Sequence, residues 1–268
     1  MCHHCGVDAT RLLGVDHYLL ALLILAVFVA GCLNGTTGIG FANLTSVALA
    51  LLLDARAAVI LLSGITPVVM FIPVVRYRAE IGVVRRLAPM FLAMPLGVLV
   101  GSYLLVALPA PAIALGLGII TIISTLAALR RGALPLPPSW ERGASPAIGV
   151  LAGAANSSVG VSGPILAMYL LALKLPKATF AFTVSAMFAT MGVLRLFTLI
   201  GLGQVTPATV GLSLALCVPA AAGIRAGFWL QGRIDQKVFN RLVLGILLLT
   251  GVELIQRGLA GLPLPRLL

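Results

Sequence analysis

The chain has 268 residues, of which 60% are hydrophobic and only 9% are charged, and its net charge is +11. Soluble globular domains have about 25% charged residues, so this composition excludes an ordinary soluble protein. Unbroken apolar runs also exclude a membrane β-barrel, whose strands alternate in polarity over ~10 residues. We therefore expect an all-α fold, a polytopic transmembrane helical bundle.

The apolar runs define the predicted elements in chain order. They cover residues 17–53, 57–76, 87–107, 111–129, 146–173, 178–200, 206–229 and 239–256. About 20 helical residues cross a bilayer, and the first and fifth runs are too long for one straight crossing. Each of these two runs must fold back, and glycine and asparagine tolerate the backbone angles of such a break. The sequence therefore predicts two broken or re-entrant helical segments.

The two predicted breaks share a sequence pattern. From Gly31 the chain reads GCLNGTTGIGFANLTSVALAL, and from Gly153 it reads GAANSSVGVSGPILAMYLLAL, so that Asn34 aligns with Asn156. A broken helix repeated in both halves of a membrane chain indicates the substrate site of a transporter. Each half has one returning segment and three crossings. Because three is an odd number, the second half enters the membrane from the opposite face, and the predicted repeat is inverted.

The predicted repeat divides the chain into five parts. They are an N-terminal tail (1–16), a first transmembrane repeat (17–129), a cytoplasmic linker (130–145), a second transmembrane repeat (146–256) and a C-terminal tail (257–268). The prolines from Pro135 to Pro146 are expected to prevent a helix in the linker. The basic residues cluster between the apolar segments, which indicates cytoplasmic loops rather than a nucleic-acid surface. This arrangement places both termini outside.

Polar residues at the two breaks are the candidate substrate-binding residues. Freed amides and hydroxyls at a helix break suit an oxyanion, because a helix N-terminus carries about half a positive charge. The two asparagines either bind the ligand or cap freed backbone, and the sequence favours neither role. The predicted site residues are Asn34, Thr36, Thr37 and Gly38 in the first half, and Asn156, Ser157, Ser158, Gly160, Ser162, Gly163 and Arg195 in the second.

Other glycines and the charged residues inside apolar segments have simpler interpretations. Gly97, Gly101, Gly223 and Gly227 lie at four-residue spacing, which favours close helix packing over a site. Arg195 is either an anion anchor inside the membrane or a side chain that reaches back to the interface. A short match between RYRAEIG and RLFTLIG aligns Arg76 with Arg195, and Arg76 lies nearer a boundary. Glu253 is more typical of an interface residue than of a proton relay.

No cofactor or metal is predicted. The N-terminal CHHC offers zinc ligands, but four contiguous ligands do not easily surround one ion, so an unstructured terminus is the favoured interpretation. No phosphate-binding loop is present, so an ion gradient or the substrate's own gradient would supply the energy. The coupling ion and a homo-oligomeric state do not follow from the sequence.

The twin Gly/Asn breaks, the GPILAMYLLAL that follows the second and the RLFTLIGLGQVTP connection resemble the sulfite exporter TauE/SafE family of membrane permeases. The resemblance extends from about Val27 to Gly258. It implies a multi-pass protein of the bacterial inner membrane, surrounded by lipid, that moves sulfite or another small organosulfur anion and is not an enzyme. A secondary transporter with alternating access is the expected function. The alternatives are a passive channel for a small anion or solute and a non-transporting membrane subunit.

Overall fold

The computed structural model describes residues 17–37, 41–129, 138–230 and 236–261 of the chain. Within these ranges the protein is a bundle of α-helices without strands, which confirms the predicted fold class. The helices are α1 (His17–Thr37), α2 (Phe41–Leu52), α3 (Ala55–Arg76), α4 (Val83–Arg86), α5 (Ala88–Ala107), α6 (Ala110–Leu129), α7 (Pro138–Val159), α8 (Gly163–Ala172), α9 (Lys177–Gly201), α10 (Pro207–Leu230) and α11 (Gln236–Gly261). A 3₁₀ turn, Arg78–Gly82, links α3 to α4.

The long helices have the length and surface of membrane spans. Five helices in the described part of the chain, namely α1, α3, α5, α9 and α10, are apolar over at least 18 residues. Many of their large apolar side chains point outward, including Leu92 at 80% exposure and Val218 at 72%. A water-exposed surface would not carry so many apolar side chains, whereas a lipid-facing surface requires them.

The second predicted break is present, and residues 38–40 at the first lie outside the described part of the chain. Helix α1 ends at Thr37 and α2 begins at Phe41, while α7 ends at Val159 and α8 begins at Gly163. Helix α2 has 12 residues and α8 has 10. At 1.5 Å per residue they are about 18 and 15 Å long, too short to cross a ~30 Å hydrocarbon core. Each half of the chain therefore contains one long helix followed by one short helix.

Glycines bring the long helices into backbone contact in a reciprocal pattern. Helix α1 packs on α10, where Gly227 lies so close to Gly35 that a Cβ on Gly227 would be 2.8 Å from the Cα of Gly35. Helix α7 packs on α5 in the same way, and a Cβ on Gly101 would meet the carbonyl of Ala154. Gly97 and Gly223 make the equivalent approaches, so the predicted packing role of these four glycines is confirmed.

A larger side chain at Gly227 is expected to prevent this approach. The change Gly227→Leu should lower the stability of the folded protein by about 1–3 kcal/mol, because backbone rather than a flexible side chain fills the space. The midpoint of thermal unfolding in detergent measures the effect. Gly211→Leu on the same helix is the matched control, since nothing lies within 4 Å of the position of its Cβ. Equal midpoints for the two variants would contradict the packing role.

Side-chain contacts give the relative directions of α3 and α9, which pack against each other. Near the end of α3, Glu80 accepts a hydrogen bond of 2.6 Å from Thr179 at the start of α9. At the opposite end, Ile60 of α3 and Ile200 of α9 line the same cleft. The two helices are therefore antiparallel. The same contacts place the basic loop after α3 beside the basic residues that precede α9.

The structure differs from the sequence-based expectations at three places. Helix α7 begins at Pro138 and contains Pro146, so the expected absence of helix in the linker is wrong from residue 138 onward. Proline is well tolerated as the first residue of a helix, where its missing N–H has no helical partner. Helix α11 continues to Gly261, five residues into the expected C-terminal tail.

The third difference concerns the aligned arginines. Arg76 is the last residue of α3 and is exposed, with its guanidinium 4.4 Å from the ring of Phe228. Arg195 lies six residues before the end of α9 and is buried. The two side chains therefore have different surroundings.

Candidate functional site

The second break is a sharp turn fixed by one glycine and one hydroxyl. Gly160 has a φ of +80°, and its N–H donates to the carbonyl of Asn156 at 3.0 Å. Ser46 of α2 donates from its Oγ to the carbonyl of Gly160 at 2.8 Å. A positive φ favours glycine, which explains this residue at the turn. The short helix of the first half thus holds the break of the second half.

Arg195 is the largest fully buried side chain among the described residues and lies directly beside this break. Only 1% of its surface is exposed. Its Nη1 donates to the backbone carbonyl of Asn156 at 2.8 Å and to the side-chain Oδ1 of the same residue at 3.3 Å. Its Nε is buried and has no hydrogen-bond partner among the described residues. One donor of the guanidinium therefore remains available for a ligand.

Asn156 links Arg195 to the start of α8. Its Nδ2 donates to the Oγ of Ser162 at 3.2 Å, and the carbonyl of Ser162 accepts the first bond of α8 from Leu166 at 3.1 Å. Asn156 is 1% exposed and Ser162 is fully buried. We call Arg195, Asn156 and Ser162 the arginine cluster. Asn156 spans the break, and both ends of its amide bond side chains rather than freed backbone.

The arginine cluster lies deep in the bundle. Gly192, one turn before Arg195, packs against Pro67 near the middle of α3. A charge at such a depth costs about 2.5–3.5 kcal/mol on insertion scales, unless a partner neutralises it. No carboxylate lies within ion-pair distance of Arg195 in the described part of the chain. An anion from solution would neutralise the charge of Arg195.

The first break has a different environment. The Nδ2 of Asn34 lies 4.0 Å from the sulfur of Met70 on α3, and Thr36 donates to the carbonyl of Leu33 at 2.9 Å. Among the described residues, Asn34 has no hydrogen bond to the arginine cluster. The side chain of Thr37 and all of Gly38 lie outside the described residues. The described hydrogen bonds of Asn34 are therefore separate from those of the arginine cluster.

The remaining described candidates of the second half are Ser157, Ser158 and Gly163. Ser158 donates to the carbonyl of Ala154 within α7 at 2.7 Å. The Cβ of Ser157 lies 2.9 Å from the position of a Cβ on Gly101, so Ser157 is packed against α5, and its buried Oγ has no described partner. Gly163 is buried and begins α8.

The comparison with protein families gives one clear result. The family model described as "Sulfite exporter TauE/SafE" matches residues 23–254, which is most of the chain. The chain belongs to the sulfite exporter TauE/SafE family. Searches of curated proteins and of solved structures gave no significant match. Membership of this transporter family implies export of sulfite or a related sulfur anion across a membrane.

This TauE/SafE protein also contains a cleft that the sequence did not indicate. A cavity of about 230 Å³ lies between α3, α9 and α10, and it is partly open. Its lining is mostly apolar, with the hydroxyls of Ser63, Thr209 and Ser213 as exceptions. Leu196 of the lining follows Arg195 directly in the chain. Apolar residues in a membrane helix give no sequence signal for a cleft, because they are equally typical of a lipid-facing surface.

Two further predictions from the sequence concern residues away from the arginine cluster. Glu253 forms an ion pair of 3.0 Å with Arg257, one turn later on α11, and both side chains are about half exposed. This surface pair agrees with the interface interpretation of Glu253. The N-terminal CHHC lies outside the described residues.

Proposed function

We propose that this TauE/SafE protein is a secondary transporter that moves sulfite or a small organosulfonate across the bacterial inner membrane by alternating access. The single observation that carries the proposal is the buried guanidinium of Arg195, which lies beside a helix break and has no carboxylate partner among the described residues. Such a group has a strong requirement for an anion, and a sulfur oxyanion offers several oxygens to its donors.

The ends of two helices contribute to the same site. Helix α8 begins at Gly163, next to Ser162, and its N-terminus carries about half a positive charge. The C-terminal carbonyls of α7, represented by Asn156, are already occupied by Arg195 and by the N–H of Gly160. The arrangement therefore offers donors and positive charge to a ligand, while its acceptors are satisfied.

The packing of the two halves supports alternating access. Helices α3 and α9 are antiparallel, and the contact of α1 with α10 is repeated by the contact of α7 with α5. We infer an inverted repeat from these pairs, in which α1, α2, α3, α5 and α6 correspond to α7 to α11 in that order. Rocking of one half against the other around a fixed site is the motion that such repeats perform. The partly open cleft beside Leu196 is the proposed exit on the side away from the basic loops.

The change Asn156→Leu is expected to abolish transport without loss of the folded protein from the membrane. It removes both the Oδ1 that accepts from Arg195 and the Nδ2 that bonds Ser162. Initial uptake of labelled sulfite by vesicles that contain only the purified protein measures the effect. The matched variant is Asn34→Leu, which loses only a weak contact with the sulfur of Met70. Normal uptake by Asn156→Leu would contradict the proposed site.

The same vesicles separate a transporter from a channel. A transporter that exposes its site alternately shows saturable uptake and counterflow, in which unlabelled substrate inside the vesicles accelerates the entry of labelled substrate. Uptake that rises in proportion to concentration and shows no counterflow would favour a passive channel. An absence of uptake without a second protein would favour a non-transporting subunit.

A further inference from the structure

The cleft between α3, α9 and α10 opens toward lipid rather than water. Its walls are three of the candidate membrane spans. Its rim consists of apolar side chains that are about half exposed, namely Val68, Ile200, Val210 and Leu214. Each of them lies inside a candidate span, where lipid hydrocarbon surrounds the helices. We propose that the cleft holds one acyl chain of a phospholipid from the leaflet away from the basic loops.

The polar groups of the cleft favour an apolar occupant. Ser63 and Ser213 each donate their one O–H to a backbone carbonyl of α3, at 2.5 and 3.1 Å. Thr209 shares a hydrogen bond of 2.8 Å with Thr206. A buried water needs several polar partners and an anion needs free donors, whereas these hydroxyls are already bonded. Water and anions therefore bind weakly in the cleft.

The length of the cleft matches one leaflet of a bilayer. On α3 the lining extends from Ile60 to Val68, which is about 12 Å along the helix axis. On the other side it extends from Val205, just before α10, to Leu214. Both stretches lie at the end of the bundle away from the basic loops. The hydrocarbon of one leaflet is about 15 Å thick, so a chain that lies along α3 stays within that leaflet.

The cleft is large but closed toward the interior of the bundle. Its volume of about 230 Å³ is far more than the small voids of a packed core, and an empty cleft would leave its lining without contacts. Ser63 and Ser213 form its floor and are only 1% and 3% exposed. There α3 touches α10, because a Cβ on Gly64 would lie 2.6 Å from the Cβ of Ser213. A lipid chain can therefore enter from the side and fill the cleft without reaching the interior.

A chain in the cleft acts on the proposed exit. Pro67 lines the cleft and packs against Gly192, one turn before Arg195, so this contact separates the cleft from the arginine cluster. The chain fills the exit in this conformation and must withdraw before an anion leaves. This role as a plug rests on the proposed function. The lipid site itself does not, because it depends only on the shape and polarity of the cleft.

The test maps where a lipid chain lies on the protein. The purified full-length protein is placed in phosphatidylcholine vesicles that contain a trace of phosphatidylcholine with a photoactivatable diazirine in one acyl chain. After illumination, mass spectrometry of peptides identifies the labelled residues. The double variant Val68→Phe with Val210→Phe narrows the mouth of the cleft. Val75→Phe with Val218→Phe is the matched control, because both valines are exposed on the same two helices but do not line the cleft.

The proposal predicts labelling of the cleft residues Ser63, Leu196 and Ser213, which a chain that only surrounds the protein does not reach. The variant with the narrowed mouth should lose about tenfold of this labelling, since a crowded site disfavours the chain by about that factor. The control should label like the wild type. Labelling confined to outward-facing side chains, or equal labelling of both variants, would overturn the lipid site. The wild-type map decides alone if the narrowed variant does not fold.

A water-filled passage is the alternative to a lipid chain, and a thiol in the cleft separates the two. Ser63→Cys is made in a protein without its four native cysteines, and its reaction with a membrane-impermeant maleimide is followed in vesicles. Gly203→Cys, in the exposed turn at the same end, gives the rate in water. The proposal predicts a far slower reaction at position 63. Equal rates would overturn the lipid site and leave transport intact, whereas absence of sulfite uptake would overturn the proposed function and leave the lipid site intact.

Discussion

The change Arg195→Gln is expected to reduce anion transport by about a hundredfold or more, because it removes the only cation in the arginine cluster. It should also abolish the stabilisation that added methanesulfonate gives to the wild-type protein. Without ligand, however, the variant should unfold at the same temperature as the wild type or higher, since a buried unpaired charge is itself costly. Uptake into vesicles and thermal unfolding measure the two effects.

Two further variants make the Arg195 prediction specific. Arg195→Lys keeps the charge but loses the fork of donors that reaches Asn156, so intermediate transport is expected. Arg76→Gln removes an exposed cation whose only described ring contacts are with Tyr77 and Phe228, and it should change transport little. If Arg195→Gln and Arg76→Gln carried sulfite equally well, Arg195 would have no role in anion binding.

The change Gly160→Ala is expected to give the second large effect, a loss of both stability and transport. The new Cβ would lie 2.5 Å from the Oγ of Ser46, and the residue would keep a φ of +80°. A non-glycine residue in this region costs about 1–3 kcal/mol, and displacement of Ser46 adds the loss of its hydrogen bond to the break. Thermal unfolding and sulfite uptake are again the measurements.

The controls for Gly160→Ala separate backbone strain from crowding. Gly203 has a φ of +66°, but nothing lies within 4 Å of the position of its Cβ, so Gly203→Ala carries the strain alone. The double variant Ser46→Ala with Gly160→Ala relieves the crowding and should recover part of the stability. Identical stabilities for Gly160→Ala and Gly203→Ala would show that the contact between α2 and the break contributes nothing.

The sequence predicted the helices and the position of the second break well, because apolar length and glycine content are local properties of the chain. The close approach at Gly97 and Gly223 was also predictable, since small residues at four-residue spacing mark one helix face. The start of α7 was not predicted, because Pro138 is compatible with the first turn of a helix although prolines elsewhere disrupt one.

The chemistry of the site was predictable only in part. Arg195 stood out as a charge in an apolar segment, but its partner Asn156 is 39 residues away, and nothing local links the two. The contact of Ser46 with Gly160 spans 114 residues and joins the two halves, so it depends on tertiary packing. For the same reason the sequence did not indicate the neighbour of Asn34, whose Nδ2 lies 4.0 Å from the sulfur of Met70.

The central claim is that the guanidinium of Arg195 binds the transported anion at the break between α7 and α8. An experimental structure of the purified protein with bound methanesulfonate tests this most directly. The account predicts the sulfonate within hydrogen-bonding distance of the Arg195 Nε, next to Ser162 and the first turn of α8. A sulfonate bound elsewhere in the bundle, with Arg195 still bonded only to Asn156, would contradict it.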